Sequence, residues 1–388
     1  EELPRDPNLP RDFFTSVLFS PVQTAFLCQV YLSYRTTVTL NDIPQTTVNE
    51  LEELLDVIVD GIVCECLPGP NLHTLFRTDK VIHTLFRNFV LAQYVLKPFG
   101  IHPVSHPALP DMSSNQLWEQ WKAAVDNAVG IFATTRSPTL DYFDRALTSF
   151  NYLYKKSAYE CISPSLIAAL LRSNNYDGPA QLIIDFPSSI EVIANIVVIA
   201  DLFKSLMNEN PSTSKFRSAC VIAIYMLRHD MNFTYQIPQD LMWMPLFESI
   251  FDDKIEYSTR VLVASILAAC VPHHKNLRAL CTTQEFVSRI QTIICNVESP
   301  PCYIKWLLLL FKRTYDVFSA DRKVFIPTGF HIQCALCIHH YSQDVRSAAI
   351  SCLSCFMQGD DAMLNLRLLL AAMPSFTDVS YLVRHQLL

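Results

Sequence analysis

The residues most able to do chemistry are two cysteine pairs, Cys334-x-x-Cys337 and Cys352-x-x-Cys355, 14 residues apart, with His331, His339 and His340 close by. Zinc ribbons use nearly this spacing, because a short knuckle aims two thiolates at one tetrahedral ion. Such knuckles need tight, glycine-rich turns, and here each pair falls inside a helix of a repeating register. Cys337 takes the register place of Phe251 and Ile294, a core position, so the pattern predicts buried structural thiols and no metal. Cys64-x-Cys66 has no partner pair and reads as incidental. The doublets His273-His274 and His339-His340 follow helices and are expected as solvated histidines, favoured there by the helix dipole. The chain holds no glycine-rich phosphate loop, no G-x-S-x-G, no H-E-x-x-H and no kinase signature, and seven glycines leave little material for such loops. Neither a catalytic activity nor a cofactor is expected.

What positions these cysteines is a step of 43 residues. It carries Arg217-Ser218-Ala219-Cys220 to Arg260-Val261-Leu262-Val263, then to Tyr303-Ile304-Lys305-Trp306 and to Arg346-Ser347-Ala348-Ala349. In that register Ile224, Leu267, Leu310 and Leu353 superpose, as do Cys220, Val263, Trp306 and Ala349. Ile250, Ile293 and Leu336 follow the same step, and so do Phe251, Ile294 and Cys337. A period near 40–47 residues holding two helical segments marks an armadillo or HEAT array. No such helix pair can bury its apolar face alone, so neighbours must stack into a continuous core. The predicted fold is all-α, an armadillo/HEAT-type right-handed α-solenoid with a repeat of about 43 residues.

Composition agrees. Of 388 residues half are apolar and 17% charged, so much of the chain must be buried. Seven glycines suit helices, and 23 prolines can occupy the turns between them. A net charge of −7 argues against a nucleic-acid-binding surface. No apolar run approaches the roughly 18 residues of a membrane span, so no membrane insertion is expected. Thirteen cysteines, an odd number, and no signal peptide at Glu1-Glu2-Leu3-Pro4 point to free thiols in a reducing, cytoplasmic setting. With no initiator Met, the chain is expected to be a fragment of a longer polypeptide.

In chain order, 1–11 reads as a linker and 13–34 as helices interrupted by Pro21, with a domain boundary near 44. A helix is predicted over 47–63, with Thr47 and Glu50 as a capping box. The echo His73-Thr74-Leu75-Phe76-Arg77 and His83-Thr84-Leu85-Phe86-Arg87 suggests a short helix and a longer one running to Leu96. Residues 98–111, with four prolines, read as an ordered loop. Helices follow over 114–134, 139–156, 163–173 (Ser163 capping, Pro164 at the first position) and 178–186. One long helix is expected over 188–208. The irregular part is thus 45–208, and the regular repeats 209–388 have first helices at 217–229, 256–271, 301–316 and 344–357. Second helices are expected at 239–252, 283–296, 329–341 and 361–372.

In a solenoid, functional residues come in rows, because the same position of every repeat lines one edge. The turns before the first helices place Ser212, Lys215, Tyr257, Arg260 and Glu298 along one rim. They are the candidate partner-binding residues, and ordinary caps and solvated charges are the competing reading, with the recurring Arg pairing inside its own helix.

The irregular half carries a resemblance. Glu50-Leu51-Glu52-Glu53-Leu54-Leu55, Leu85-Phe86-Arg87-Asn88-Phe89, Pro103-Val104-Ser105-His106-Pro107 and Leu117-Trp118-Glu119-Gln120-Trp121 resemble the raptor family, the scaffold subunits of TOR complex one. Phe14-Thr15-Ser16 with Pro21 resembles the end of that family's caspase-like domain, and Ser258-Thr259-Arg260 and Asp344-Val345-Arg346 resemble its armadillo repeats. The resemblance implies a non-catalytic scaffold that binds the TOR kinase, supports recruitment of TOR substrates and docks Rag-type small GTPases, cytoplasmic and recruited to the lysosome or vacuole surface. It implies that most of the caspase-like domain and the β-propeller lie outside these residues. It also places a GTPase-docking edge on the turns around Arg260, which is expected to be exposed and dispensable for stability. An importin-like transport receptor is the alternative, and would need a ladder of Trp and Asn where the array has only Trp243 and Trp306.

Overall fold

Apolar residues at helical spacing become helices wherever proline and local turns allow. The computed structural model describes residues 9–34, 40–67, 80–106, 108–130, 138–296, 298–317, 329–357 and 362–387, and among them no strand occurs. The His73-Thr74-Leu75 echo and residues 36–39 lie outside that set. The chain divides into two compact units, Glu1–Val198 and Ile199–Leu388.

The first unit holds α1 (Phe13–Phe19), α2 (Pro21–Tyr34), α3 (Gln45–Cys66), α4 (Lys80–Leu96), α5 (Trp118–Ala128), α6 (Pro138–Lys155), α7 (Pro164–Arg172), α8 (Asp177–Asp185) and α9 (Ile190–Ile196). Its core gathers Leu51, Leu54, Ile58 and Ile62 of α3 around Trp118 and Trp121 of α5, all buried. The long proline-rich loop before α5 is ordered because side chains hold it. Gln93 donates to the Pro110 carbonyl at 3.1 Å and accepts from the Met112 amide at 3.2 Å, while Trp118 Nε1 donates to the Met112 carbonyl at 3.1 Å. Tyr94 stacks on Trp118 with centroids 4.2 Å apart. Gly61 of α3 faces Leu117 just ahead of α5, where a Cβ would stand 3.1 Å from Leu117 Cδ1.

Two local expectations change. The 47–63 helix begins earlier, at Gln45, with Pro44 ahead of it and no side-chain cap, so Thr47 and Glu50 are inside the helix rather than boxing its end. The long helix over 188–208 is broken at Val197, whose ψ of 124° is extended. Ser163 does cap α7, accepting from the Leu166 amide at 3.4 Å.

The second unit is the regular array. It holds α10 (Ile199–Asn208), α11 (Ser214–His229), α12 (Phe233–Gln236), α13 (Met244–Ser249), α14 (Tyr257–Cys270), α15 (Lys275–Cys281), α16 (Gln284–Cys295), α17 (Pro301–Val317), α18 (Phe330–Leu336), α19 (Gln343–Phe356), α20 (Ala362–Ala372) and α21 (Tyr381–His385). The first helices α11, α14, α17 and α19 pack in succession, as the 43-residue step requires. Short helices α12 and α15 were not foreseen. Pro272 cannot extend α14, and the chain turns into α15 instead, giving an armadillo-like three-helix repeat. Two second helices are shorter than expected, α13 spanning only Met244–Ser249 and α18 giving way to a 3-10 turn at Cys337–His339, while α16 and α20 fall where the period places them. Three residues per turn carry Cys337 and Ile338 inward and leave Leu336 outside.

The doublet histidines are not simply solvated. His274 is fully buried, its Nε2 lies 3.1 Å from the Thr234 carbonyl, and its ring lies against Trp243. Burial lowers its pKa, against the opposing pull of that carbonyl. His340 is half-buried, with its Nδ1 accepting from the Ser342 amide at 3.0 Å, and burial lowers its pKa too.

Leu267, Leu310 and Leu353 are all buried in this stack. Replacing any one by Ala should cost about 2–5 kcal/mol in urea unfolding, and unchanged midpoints for all three would refute the stacking. Ile224→Ala should cost clearly less, because Ile224 is only half-buried. A histidine with a lowered folded pKa contributes stability that is present above about pH 6.5 and lost as pH falls through the folded value. Unfolding midpoints should therefore drop below about pH 6.5, and the drop should be shallower in His274→Gln.

Candidate partner-binding cleft

Three successive turns converge on one cleft of about 640 Å³, lined by Pro211 from the first, Asp252, Asp253, Tyr257 and Arg260 from the second, and Asn296, Ser299 and Tyr303 from the third. The turns share a device that the sequence reading missed. Asn210 Oδ1 accepts from the Ser212 amide at 3.0 Å, Asp252 Oδ1 from Lys254 at 2.9 Å, and Asn296 Oδ1 from Glu298 at 3.0 Å. His340 Nδ1 and Asp378 Oδ1 do the same for Ser342 at 3.0 Å and Ser380 at 2.8 Å. Each is a side chain imitating a backbone turn two residues on. The near-43-residue spacing of Asn210, Asp252, Asn296 and His340 was the available signal.

Ser212, Tyr257 and Glu298 are exposed on these turns, and Lys215 is half-buried and paired with Glu209. Arg260 departs from expectation. Its side chain is only 6% exposed, while its ion-pair partner Asp253, at 3.0 Å, is 95% exposed. The guanidinium lies 4.0 Å from the Tyr257 ring centroid and 5.6 Å from that of Tyr303. It is thus a cation held between two aromatic faces, with its Nε buried and without a hydrogen-bond partner among the described residues. Burial follows from the register itself: Tyr303 occupies in the next repeat the position that Arg260 holds in its own, so the two side chains meet. The Tyr303 hydroxyl donates to the Ile250 carbonyl, and burial pushes its pKa up to about 12 against the pull of the Arg260 charge. Nor do the sister arginines pair within their helices. Arg217 reaches Glu256 at 3.4 Å, and Arg346 grips Asp378 with two bonds of 2.7 and 2.8 Å.

The cleft presents three carboxylates (Glu248, Asp252, Asp253) and two guanidiniums (Arg260, Arg289) around aromatic surface. Arg289 bonds Glu248 at 2.9 Å and lies over Phe251. These groups offer contact area and charge for recognition.

The cysteines form a different kind of cluster. Cys334 and Cys352 approach to 3.8 Å in the core, and Cys337 and Cys355 are buried beside them. Burial raises the Cys352 thiol and pushes Cys337 and Cys355 up to about 12, so these thiols stay protonated in the core. Among the described residues no group of three His, Cys, Asp or Glu is placed to hold a metal, and no helix is long and apolar enough to cross a membrane.

No protein-family model matches the chain. It is 22% identical over 420 aligned positions to a protein raptor homolog of Dictyostelium discoideum, covering 96% of this chain and 26% of that protein. It is 32% identical over 169 residues to the target of rapamycin complex 1 subunit mip1 of Schizosaccharomyces pombe, covering 41% of this chain and 12% of mip1. The chain therefore spans a minor part of these relatives. A crystal structure of Chaetomium thermophilum Raptor superposes with a TM-score of 0.78 at 23% identity, over all of this chain and 39% of that one, and so shares its fold. The raptor likeness read from the sequence motifs holds.

Arg260→Asp, expected from sequence to leave the fold untouched, should instead destabilise it by roughly 3 kcal/mol, since it buries a carboxylate between two rings and beside Asp253. Asp253→Asn should cost under about 0.5 kcal/mol, because solvent screens its half of the pair. Equal midpoints for Arg260→Asp and the parent protein in chemical unfolding would contradict the buried stack.

Proposed function

We propose that this chain, similar to raptor proteins along nearly its whole length, is the helical-repeat scaffold of a TOR complex 1 subunit. It is non-catalytic, binds the TOR kinase, supports substrate recruitment, and docks Rag-type small GTPases where these exist. It acts in the cytoplasm and at the lysosome or vacuole surface. What carries the reading is the span of the likeness, 96% of the chain against the Dictyostelium raptor homolog. The absence of a nucleophile–base pair among the described residues of the cleft is consistent with a binding role. The boundary near residue 44, with the end of a caspase-like domain before it, belongs to the same reading.

The docking edge is the row of exposed Ser212, Tyr257 and Glu298 with half-buried Lys215 beside the cleft. Arg260 contributes from behind, by holding the Tyr257 ring in place. A tyrosine offers large contact area at small conformational cost, which is why such residues dominate binding energy.

Affinity purification of the full-length protein from its native cell should recover a TOR kinase, and its absence would remove the proposal. Tyr257→Ala should weaken a co-purified small GTPase by roughly 2 kcal/mol or more while TOR kinase recovery is unchanged. Undiminished GTPase binding in Tyr257→Ala with Glu298→Lys would show that the edge lies elsewhere.

A further inference from the structure

In each of the two first-helix register sets one position breaks the burial rule, and both of these face one groove. Ile224 stands in register with Leu267, Leu310 and Leu353, and Trp306 with Cys220, Val263 and Ala349. All six counterparts are buried, whereas Ile224 and Trp306 are half-buried. They line opposite walls of an apolar groove of about 280 Å³. The groove exists because the middle helix α14 gives its floor mainly small side chains, Ser265, Ala268 and Ala269, with the buried Ile266 beside them. The neighbouring helices raise Ile224 and Leu227 from α11 on one side and Trp306 and Leu309 from α17 on the other.

Its charge is as particular as its shape. Arg228 on one wall and Arg313 on the other are exposed, and no Asp or Glu lines the groove. Neither guanidinium has an ion pair or hydrogen bond among the described residues. The chain as a whole carries 37 acidic against 30 basic side chains, so this is a local reversal of its charge. A helix C-terminus accounts for Arg228, at the end of α11, but Arg313 sits a turn inside α17. The cleft at the turns is the contrast, since its arginines are already answered by carboxylates.

We propose that this groove docks an acidic amphipathic helical segment of a partner protein. Two large apolar side chains, one turn apart, seat between Ile224 and Trp306, and carboxylates flanking that stripe pair with Arg228 and Arg313. A groove of about 280 Å³ has room for two large side chains. Its apolar floor is recessed between two helices, where a protruding helix stripe reaches and a flat lipid surface does not. Unpaired guanidiniums reject a basic segment and reward an acidic one with charge-assisted hydrogen bonds. The inference does not depend on the TOR reading.

The test selects a displayed library of random 12-residue peptides against the 388-residue chain. Enriched peptides should carry two large apolar residues three or four apart with flanking Asp or Glu. The synthetic winner should shift the emission of Trp306, the one half-buried tryptophan of the four. Ala269→Phe, which fills the groove from the half-buried end of its floor, should weaken that peptide at least tenfold with an unchanged circular-dichroism spectrum. The double charge reversal Arg228→Glu with Arg313→Glu should do the same, and it carries the test if Ala269→Phe fails to fold. Enrichment without an acidic bias, equal binding to both variants, or no enrichment would overturn the proposal. So would arginine-dependent sedimentation with phosphatidylserine vesicles that no peptide displaces.

Discussion

Everything in the regular half depends on first helices being buried against one another. α14 and α17 each lie between two first helices and α19 packs against α17, so their register leucines have nowhere to go but into the shared interface. That requirement explains why these helices are apolar on nearly every face and why glycine is scarce, since a helix enclosed on several sides gains stability from packing rather than from propensity. Polar links between repeats sit at the margins of this stack. Lys305 reaches Asp344 at 3.0 Å and Arg217 reaches Glu256 at 3.4 Å, both exposed enough to contribute little. The two-bonded Arg346 to Asp378 pair is better shielded and fixes how α21 meets α19.

Because the stack takes up the helices, their surroundings are what remain for recognition, and two quite different surfaces result. At the turns, three consecutive Asx-type bonds hold the backbone in one shape, and the cleft between them balances its charges internally. Along the first helices, the repeat is interrupted where Ile224 and Trp306 leave the core, and the charges beside them have no ion pair among the described residues. A solenoid generates such surfaces by small departures from its own rule, without new elements.

The repeat was legible because burial imposes a period that a single sequence displays, and the raptor-like blocks of the irregular half were legible as residue strings. Local geometry was less so. The break at Val197 and the short α13 and α18 are set by tertiary packing, which overrides the continuous apolar pattern over 188–208. Arg260 was read as a rim residue because a charged side chain before a helix is ordinarily solvated. Its burial depends on Tyr257 three positions before it and Tyr303 one repeat away, an encounter visible only when the register is read as contact rather than as alignment. His274 followed the same logic, since its partner carbonyl belongs to α12, an element that the pattern did not announce.

Native-state hydrogen exchange tests the central claim most directly, because it reports which elements open together. If burial of first helix against first helix holds the array, the amides of α14, α17 and α19 should exchange last and as one cooperative group, with α13, α18 and α20 opening earlier. Protection that is greatest in the second helices, or that falls independently repeat by repeat, would contradict the account.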